Sequence, residues 1–195
     1  PLIDAISDIK QIDETIFREK HNLSKKPIIA LLPGSRKQEI SKMLSIMLSL
    51  VDDFQQYEFV IAGAPSQSLD FYKKIIGSKN IAFVDNKTYD LLSVSYAALV
   101  TSGTATLETA LFKVPQVVCY KGSIISYQIA KRIITLRFIS LVNLIMDKEV
   151  VKELIQKDFT KKNLTKELAM ILDDNHRSKI FENYYQLEQK LGGKG

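Results

Sequence analysis

The residues best suited to chemistry lie where an apolar segment changes into a helical pattern. After Leu99 and Val100 the chain continues Thr101-Ser-Gly-Thr-Ala105, and Glu108 follows within the next helical turn. Small residues between a strand and a helix leave backbone N–H groups free at the positive end of the helix dipole, an arrangement that binds phosphate. A carboxylate beside such a site predicts a second contact, such as one to ribose hydroxyl groups.

A purely structural interpretation of this segment is helix capping by its serine and threonine side chains. Capping accounts for one or two hydroxyl groups, but not for an unbroken run of small or hydroxylated residues from 101 to 105. Glu108 also fails the capping-box pattern, because Ala105 stands three residues before it. A structural role for Glu108 in holding the turn stays open beside the binding role.

A second turn with polar and cationic residues follows the apolar segment of residues 28–32. It reads Pro33-Gly-Ser-Arg36. Ser35 matches a capping box with Gln38, so its hydroxyl has a structural explanation. Arg36 has none, because a cation near a helix N-terminus opposes the dipole unless an anion binds there. Arg36 is therefore a predicted anion-binding residue.

Apolar runs and helical patterns alternate along the first 120 residues with short connections between them. The predicted strands are residues 28–32, 57–63, 81–84, 97–101 and 115–120, and the predicted helices are 39–56, 69–76, 89–96 and 104–112. This alternation is typical of an α/β fold, with an open parallel sheet covered by helices on both faces. Ligands bind such sheets at the carboxyl ends of the strands, where residues 33–36, 63–66 and 101–105 all fall.

The remaining segments are less regular. Residues 121–146 mix apolar and basic side chains and predict a core helix plus a sixth strand, with a basic apolar membrane surface as the alternative. Asn143, among apolar neighbours, predicts either a structural amide or a contact to a base or ribose. Further helices are predicted over residues 149–156, 162–172 and 177–191. Residues 1–26 are predicted as a linker helix region from a preceding domain, and residues 27–195 as one domain.

The composition is that of an ordinary globular domain, with 195 residues, 46% hydrophobic content and a net charge of +5. The single cysteine, Cys119, lies in an apolar run, which predicts packing rather than a nucleophilic role. Neither His21 nor His176 has ligand-like neighbours, so no metal site is predicted. The basic residues are dispersed, which disfavours a nucleic-acid partner. No uncharged apolar run is long enough to cross a bilayer, and neither GxGxxG nor GxxxxGK[ST] occurs.

Several segments, all in the same order, resemble the sequence signatures of the lipid-A-disaccharide synthase family. They are Leu32-Pro-Gly-Ser-Arg-Lys-Gln-Glu-Ile40, Thr101-Ser-Gly-Thr-Ala-Thr-Leu-Glu108, Pro115-Gln-Val-Val-Cys-Tyr-Lys121, Ser140-Leu-Val-Asn143 and Val150-Val-Lys-Glu-Leu-Ile-Gln156. The resemblance covers essentially the whole chain and corresponds to the C-terminal half of the family's protein. The family usually has Ser-Leu-Pro-Asn in the fourth segment, and Val142 replaces that proline here.

The resemblance implies one half of an inverting GT-B glycosyltransferase, with a Rossmann-like UDP-sugar-binding domain and no cofactor or metal. The implied reaction transfers the sugar of UDP-2,3-diacylglucosamine to 2,3-diacylglucosamine 1-phosphate and releases UDP. By position, Arg36 would contact the diphosphate, Glu108 the ribose, and Asn143 and Gln156 the nucleotide-sugar region. The other implied UDP-sugar contacts are Gly34, Ser35, Ser102, Gly103, Thr104 and Thr106.

The resemblance further implies a cytoplasmic enzyme, peripheral to the cytoplasmic face of the inner membrane of a Gram-negative-type bacterium. It implies a lipid substrate and allows a homodimer as the assembly state. Its catalytic residues would lie in an N-terminal domain outside this sequence, so the chain alone is expected to bind donor without turnover. Two alternatives stay open. One is half of another GT-B glycosyltransferase or of a UDP-sugar epimerase, and the other is a non-catalytic membrane-surface module built on residues 121–146.

Overall fold

A six-stranded parallel sheet forms the centre of the computed structural model, which describes residues 2–122, 135 and 137–192. The strands are β1 (Ile28–Leu32), β2 (Glu58–Gly63), β3 (Ala82–Asp85), β4 (Ser95–Thr101), β5 (Gln116–Tyr120) and β6 (Lys152–Ile155). Their order across the sheet is β3-β2-β1-β4-β5-β6, and every neighbouring pair is parallel. The sheet therefore grows in opposite directions from β1 and β4, which form its topological switch point.

Helices cover both faces of this sheet. They are α1 (Leu2–Ser7), α2 (Glu14–Lys20), α3 (Lys37–Leu48), α4 (Leu69–Ile76), α5 (Thr88–Ser93), α6 (Thr104–Leu111), α7 (Leu141–Met146), α8 (Lys161–Leu172) and α9 (Asp174–Lys190). Short 3₁₀ turns follow α3 at Val51–Asp53 and β6 at Gln156–Asp158.

The strand β1 shows why the sheet needs two layers of helices. All of its residues are buried, and successive side chains of a strand point to opposite faces. Ile29 and Leu31 belong to the core beneath α3, α6, α8 and α9, whereas Ile28 and Ala30 pack in the smaller core with α2 and α5. A continuous apolar strand of this kind is stable only when both of its faces are covered. The predicted α/β fold with helices on both faces is confirmed.

The sixth strand lies elsewhere than predicted. Residues 138–146 hold α7 instead of a strand, because the Ser140 hydroxyl accepts the Asn143 N–H at 3.3 Å and begins a helix. The helix predicted over residues 149–156 is also wrong, because part of this segment forms the strand β6. The backbone of residues 152–155 pairs with β5, from Val117 opposite Lys152 to Tyr120 opposite Ile155, and completes the sheet edge.

The N-terminal helices pack onto the rest of the chain. Phe17 of α2 is buried in the smaller core, and Leu2 of α1 lies against the larger one. The basic apolar segment predicted within residues 121–146 falls mainly on residues 123–134 and 136, which lie outside the described residues. In the part that is described, no helix is both long and apolar enough to span a membrane.

Candidate functional site

The turn between β4 and α6, residues 102–105, is named the α6 turn. Gly103 is the N-cap of α6 with φ 151° and ψ −166°, a conformation reserved almost entirely for glycine, and no side chain caps the helix. The Ser102 N–H donates to Cys119 O at 3.0 Å, and the Thr106 N–H donates to Gly103 O at 3.2 Å. Within the described ranges, the N–H groups of Gly103, Thr104 and Ala105 have no hydrogen-bond partner. The α6 turn thus offers unsatisfied donors at a helix N-terminus.

Thr101 adds a hydroxyl group to this turn. Its side chain is buried, and its Oγ1 atom has no hydrogen-bond partner in the part of the chain that the structure describes. Buried hydroxyl groups are normally paired, so this one marks a place where a ligand or water would complete the structure.

The turn between β1 and α3, residues 33–36, is named the α3 turn. The predicted capping box between Ser35 and Gln38 is wrong, because Arg36 and not Ser35 is the N-cap of α3, and no side chain caps the helix. Instead, the Glu39 carboxylate reaches back and its Oε2 accepts the Ser35 N–H at 3.1 Å. The carboxylate lies so close over Gly34, where φ is 105°, that a Cβ there would overlap it. The α3 turn is therefore closed by a carboxylate of its own chain.

The loop after β2 fixes the α3 turn from the other side. The Ser66 hydroxyl donates to Ser35 O at 3.2 Å, and the Gln67 side-chain amide donates to the same oxygen at 3.1 Å. The Ala64 N–H in turn donates to the Tyr72 hydroxyl at 2.9 Å, which anchors this loop to the buried side of α4. These contacts hold the backbone directly before Arg36, whose guanidinium forms no ion pair among the described residues.

Glu108 lies on α6, and its carboxylate accepts a hydrogen bond from a residue of α5. The Tyr89 hydroxyl donates to Glu108 Oε1 at 2.8 Å. Burial, followed by this hydrogen bond, raises the pKa of Tyr89 to about 12, so its hydroxyl stays protonated at neutral pH. Sequence reasoning missed Tyr89 as a site residue. The polar residues 86–88, directly after β3 on the same sheet edge, were the signal that could have found this region.

These elements enclose a cleft of about 860 Å³ at the carboxyl ends of the strands, directly over the switch point. Its lining comprises Leu32, Gly34, Ser35, Arg36, Glu39, Ala62, Ala64, Pro65, Asn86, Thr88, Tyr89, Thr101, Ser102, Gly103, Thr104, Ala105, Glu108 and Tyr120. Arg36 also borders a smaller recess of about 330 Å³ whose other basic residues are Lys37, Lys42 and Lys121. The cleft thus combines the free N–H groups of the α6 turn, the carboxylate of Glu108 and the positive charge of Arg36. This combination suits a nucleotide diphosphate.

Comparison with known proteins identifies the family. The sequence model of the lipid-A-disaccharide synthetase family matches residues 1–194. The chain belongs to the lipid-A-disaccharide synthase family. The enzyme of Syntrophus aciditrophicus is 35% identical over 202 residues, covering 98% of this chain and 52% of that protein. That of Francisella tularensis subsp. novicida is 36% identical over 191 residues, covering 92% and 50%. The chain spans about half the length of the curated relatives it matches.

Solved structures agree on the fold. The C-terminal domain of the glycosyl transferase group 1 family protein LpcC from Francisella tularensis is similar with a TM-score of 0.62 at 16% identity, and the match covers 95% of both chains. The S. aureus MnaA–UDP co-structure is similar with a TM-score of 0.61 at 18% identity, covering 94% of this chain and 48% of that chain. The described sheet is therefore the Rossmann-like half of a GT-B glycosyltransferase fold, as the family resemblance implied.

Most of the site residues expected from the lipid-A-disaccharide synthase family lie together in the cleft. They are Gly34, Ser35, Arg36, Ser102, Gly103, Thr104 and Glu108. Thr106 does not face it: the residue is fully buried, and its hydroxyl donates to Gly103 O at 2.8 Å. Thr106 therefore holds the α6 turn from below.

Asn143 lies away from the cleft and is fully buried. Its Oδ1 accepts the N–H groups of Val150 and Val151 at 2.8 and 3.0 Å, and its Nδ2 donates to Val151 O and to Glu153 Oε1 at 2.8 and 2.9 Å. The whole hydrogen-bonding capacity of the amide is thus met within the protein. Of the two roles that the sequence left open, this geometry corresponds to the structural amide, which joins α7 to the start of β6.

Gln156 follows β6 at the same edge of the sheet as the cleft. Its backbone has φ 51°, and its Oε1 accepts the Gly122 N–H at 3.4 Å. It is not among the residues that line the main cleft.

The remaining reactive groups of the described chain lie outside this site. Burial raises the pKa of the Cys119 thiol well above its usual range, and the side chain is fully buried in β5. Cys119 is thus a packing residue, as predicted. Within the described ranges, no group of three or more His, Cys, Asp or Glu residues could hold a metal ion.

Proposed function

We propose that this chain is the donor-binding half of a lipid-A-disaccharide synthase and that its cleft holds UDP-2,3-diacylglucosamine. One observation carries the proposal: the α3 turn and the α6 turn meet over the switch point of the sheet, with Arg36 and Glu108 lining the same cleft. Dinucleotides and nucleotides bind doubly wound sheets at this position. Family membership supports the choice of this sugar nucleotide as the proposed ligand.

The diphosphate is proposed to lie against the α6 turn. The unpaired N–H groups of Gly103, Thr104 and Ala105 support an anion-binding role. The free hydroxyl of Thr101 lies at the same end of β4. Arg36 would pair with the phosphate oxygens from the opposite turn, because it is the basic residue among the described residues that line the cleft. The ribose hydroxyls would donate to Glu108.

In the complete family protein, the sugar is proposed to pass from UDP to a hydroxyl group of 2,3-diacylglucosamine 1-phosphate. The bond between the sugar and the diphosphate breaks, and negative charge develops on the departing UDP. Arg36 and the N-terminus of α6 would stabilise that charge. The residue that activates the acceptor is proposed to lie in the other half of the family protein, at the cytoplasmic face of the inner membrane. This chain is therefore expected to bind donor without transferring it.

The decisive experiment is a calorimetric titration of the chain with UDP, compared with the Glu108→Ala variant. We expect the unaltered chain to bind UDP with a Kd in the micromolar to low-millimolar range. Glu108→Ala should weaken binding by about tenfold or more, because a charged hydrogen bond to the ribose is lost. Alanine keeps the helix propensity of α6 high, so the fold should persist.

Glu182→Ala is the matched control, because Glu182 is an exposed carboxylate on α9 outside the cleft lining. Its UDP affinity should equal that of the unaltered chain. Absence of UDP binding to the unaltered chain at millimolar concentration, or equal binding by the Glu108→Ala variant, would contradict the proposed site.

A further inference from the structure

The hydrogen bond between Tyr89 and Glu108 connects two elements that approach the cleft separately. Tyr89 is the second residue of α5, which follows β3, whereas Glu108 is on α6, which follows β4. The 2.8 Å contact between the Tyr89 hydroxyl and Glu108 Oε1 is partly buried, and both residues line the cleft. The contact therefore fixes the direction in which the carboxylate faces the ligand space.

The same contact leaves most of the carboxylate available. An ionised carboxylate has about four acceptor positions on its two oxygens, and Tyr89 uses one of them. Among the described residues, Oε2 of Glu108 has no hydrogen-bond partner, and Oε1 has no second one. Two neighbouring hydroxyl groups of a ligand could thus donate to the carboxylate while Tyr89 stays in place.

Tyr89 is itself held firmly. Its ring packs against the Phe112 ring, with centroids 5.4 Å apart and planes inclined by 46°. Aromatic pairs in this arrangement contribute to stability beyond the area that they bury. The hydroxyl is thus presented to Glu108 from a fixed ring, and burial raises its pKa to about 12.

We infer that Tyr89 is a positioning residue whose hydroxyl orients Glu108 toward a vicinal diol, so that the cleft selects a ribonucleotide over a 2′-deoxyribonucleotide. The inference rests on the proposed function, in which Glu108 meets the ribose of the donor. It adds the residue that sets the carboxylate's orientation and the discrimination that follows. A site built to accept hydrogen bonds from a hydroxyl group rejects the analogue that lacks it, because its own acceptor is then left unpaired.

The test compares UDP with 2′-deoxy-UDP by calorimetry on the unaltered chain and on Tyr89→Phe. The variant removes only the hydroxyl and keeps the ring that packs on Phe112. We expect the unaltered chain to prefer UDP by about tenfold or more. Tyr89→Phe should weaken UDP binding by about fivefold and 2′-deoxy-UDP binding by less than about twofold, so the preference falls. Tyr185→Phe is the matched control, because Tyr185 on α9 is 61% exposed.

The ratio of the two affinities separates positioning from a general structural effect. If Tyr89→Phe weakens both nucleotides equally, or changes neither, the inference is overturned while UDP binding itself stands. If the unaltered chain binds neither nucleotide, the proposed function fails first, and the inference fails with it. Equal denaturation midpoints for Tyr89→Phe and the unaltered chain would confirm that folding is not the cause.

Discussion

The α3 turn and the α6 turn are built alike but completed differently. Each follows one of the two adjacent central strands, each contains a glycine with positive φ, and neither helix has a side-chain cap. In the α3 turn, Glu39 accepts the Ser35 N–H, so the chain supplies its own anion. In the α6 turn, three successive N–H groups have no partner within the described residues.

This difference points to a division of labour between the two turns. The α6 turn is left incomplete by the protein, and a ligand anion would complete it. The α3 turn is braced by the protein itself, since Ser66 and Gln67 both donate to Ser35 O, and its contribution to the cleft is the side chain of Arg36. In the proposed site, the α6 turn would therefore bind the anion through its backbone N–H groups, and the α3 turn would present the charge of Arg36.

The largest expected effect is on stability and concerns the two glycines of these turns. Gly34→Ala should lower the free energy of unfolding by about 3 kcal/mol, because a positive φ is combined with overlap between the new Cβ and the Glu39 carboxylate. Gly103→Ala should cost only about 1–2 kcal/mol, because the space around its Cβ is open. Urea denaturation of both variants measures the difference.

Gly77→Ala calibrates this comparison, because Gly77 has φ 62° and open space around its Cβ, at the end of α4. It should behave like Gly103→Ala in stability and like the unaltered chain in UDP binding. Equal losses for the Gly34 and Gly103 variants would mean that Glu39 moves aside freely and that the α3 turn is not locked.

The next effect concerns the charge that the α3 turn presents. Arg36→Ala should weaken UDP binding by about 30-fold, or about 2 kcal/mol, because a charge-assisted contact to the diphosphate is lost. Binding of uridine, which has no phosphate, should change by less than about twofold. Titrations with both compounds measure this ratio. If Arg36→Ala weakened uridine binding as much as UDP binding, the proposed role of Arg36 as the phosphate-binding charge of the α3 turn would be contradicted. Arg36 would then act on the nucleoside or on the fold.

The sequence predicted β1 to β5 well and the edge strand β6 poorly, for a physical reason. β1 is a continuous apolar run that needs cover on both faces, β5 is apolar after Gln116, and this signal is local. β6 contains Lys152 and Glu153 and lies at the sheet edge, so its apolar pattern is weak. Its strand conformation is fixed by pairing with β5, which is long-range in sequence, and by the hydrogen bonds that Asn143 makes to the residues just before β6.

The same limit applies to the site. Residues of the two turns could be predicted because each turn is one short segment with its own composition. The polar residues before Tyr89 mark its region, but its contact could not be predicted, since the partner Glu108 lies 19 residues further along the chain. Glu39 is predicted only as a helix residue, because its contact with the Ser35 N–H depends on the exact start of α3.

The smallest expected effect tests whether Glu39 competes with the ligand. Glu39→Gln keeps an oxygen that can accept the Ser35 N–H but removes a negative charge from the cleft lining. Because like charges repel across a short distance, the variant should bind UDP about threefold more tightly at low salt. This gain should shrink as ionic strength rises and screens the charge. Calorimetric titration at two salt concentrations measures both effects.

Glu182→Gln on α9 removes the same charge away from the cleft and controls for the change in net charge. Its UDP affinity should rise by much less than that of Glu39→Gln. Weaker UDP binding by Glu39→Gln would reverse the interpretation. The carboxylate would then brace the α3 turn for the ligand, because only an ionised acceptor holds the Ser35 N–H strongly enough to keep Arg36 in position. In that case the Glu39 carboxylate would brace the α3 turn and would not compete with the ligand phosphate.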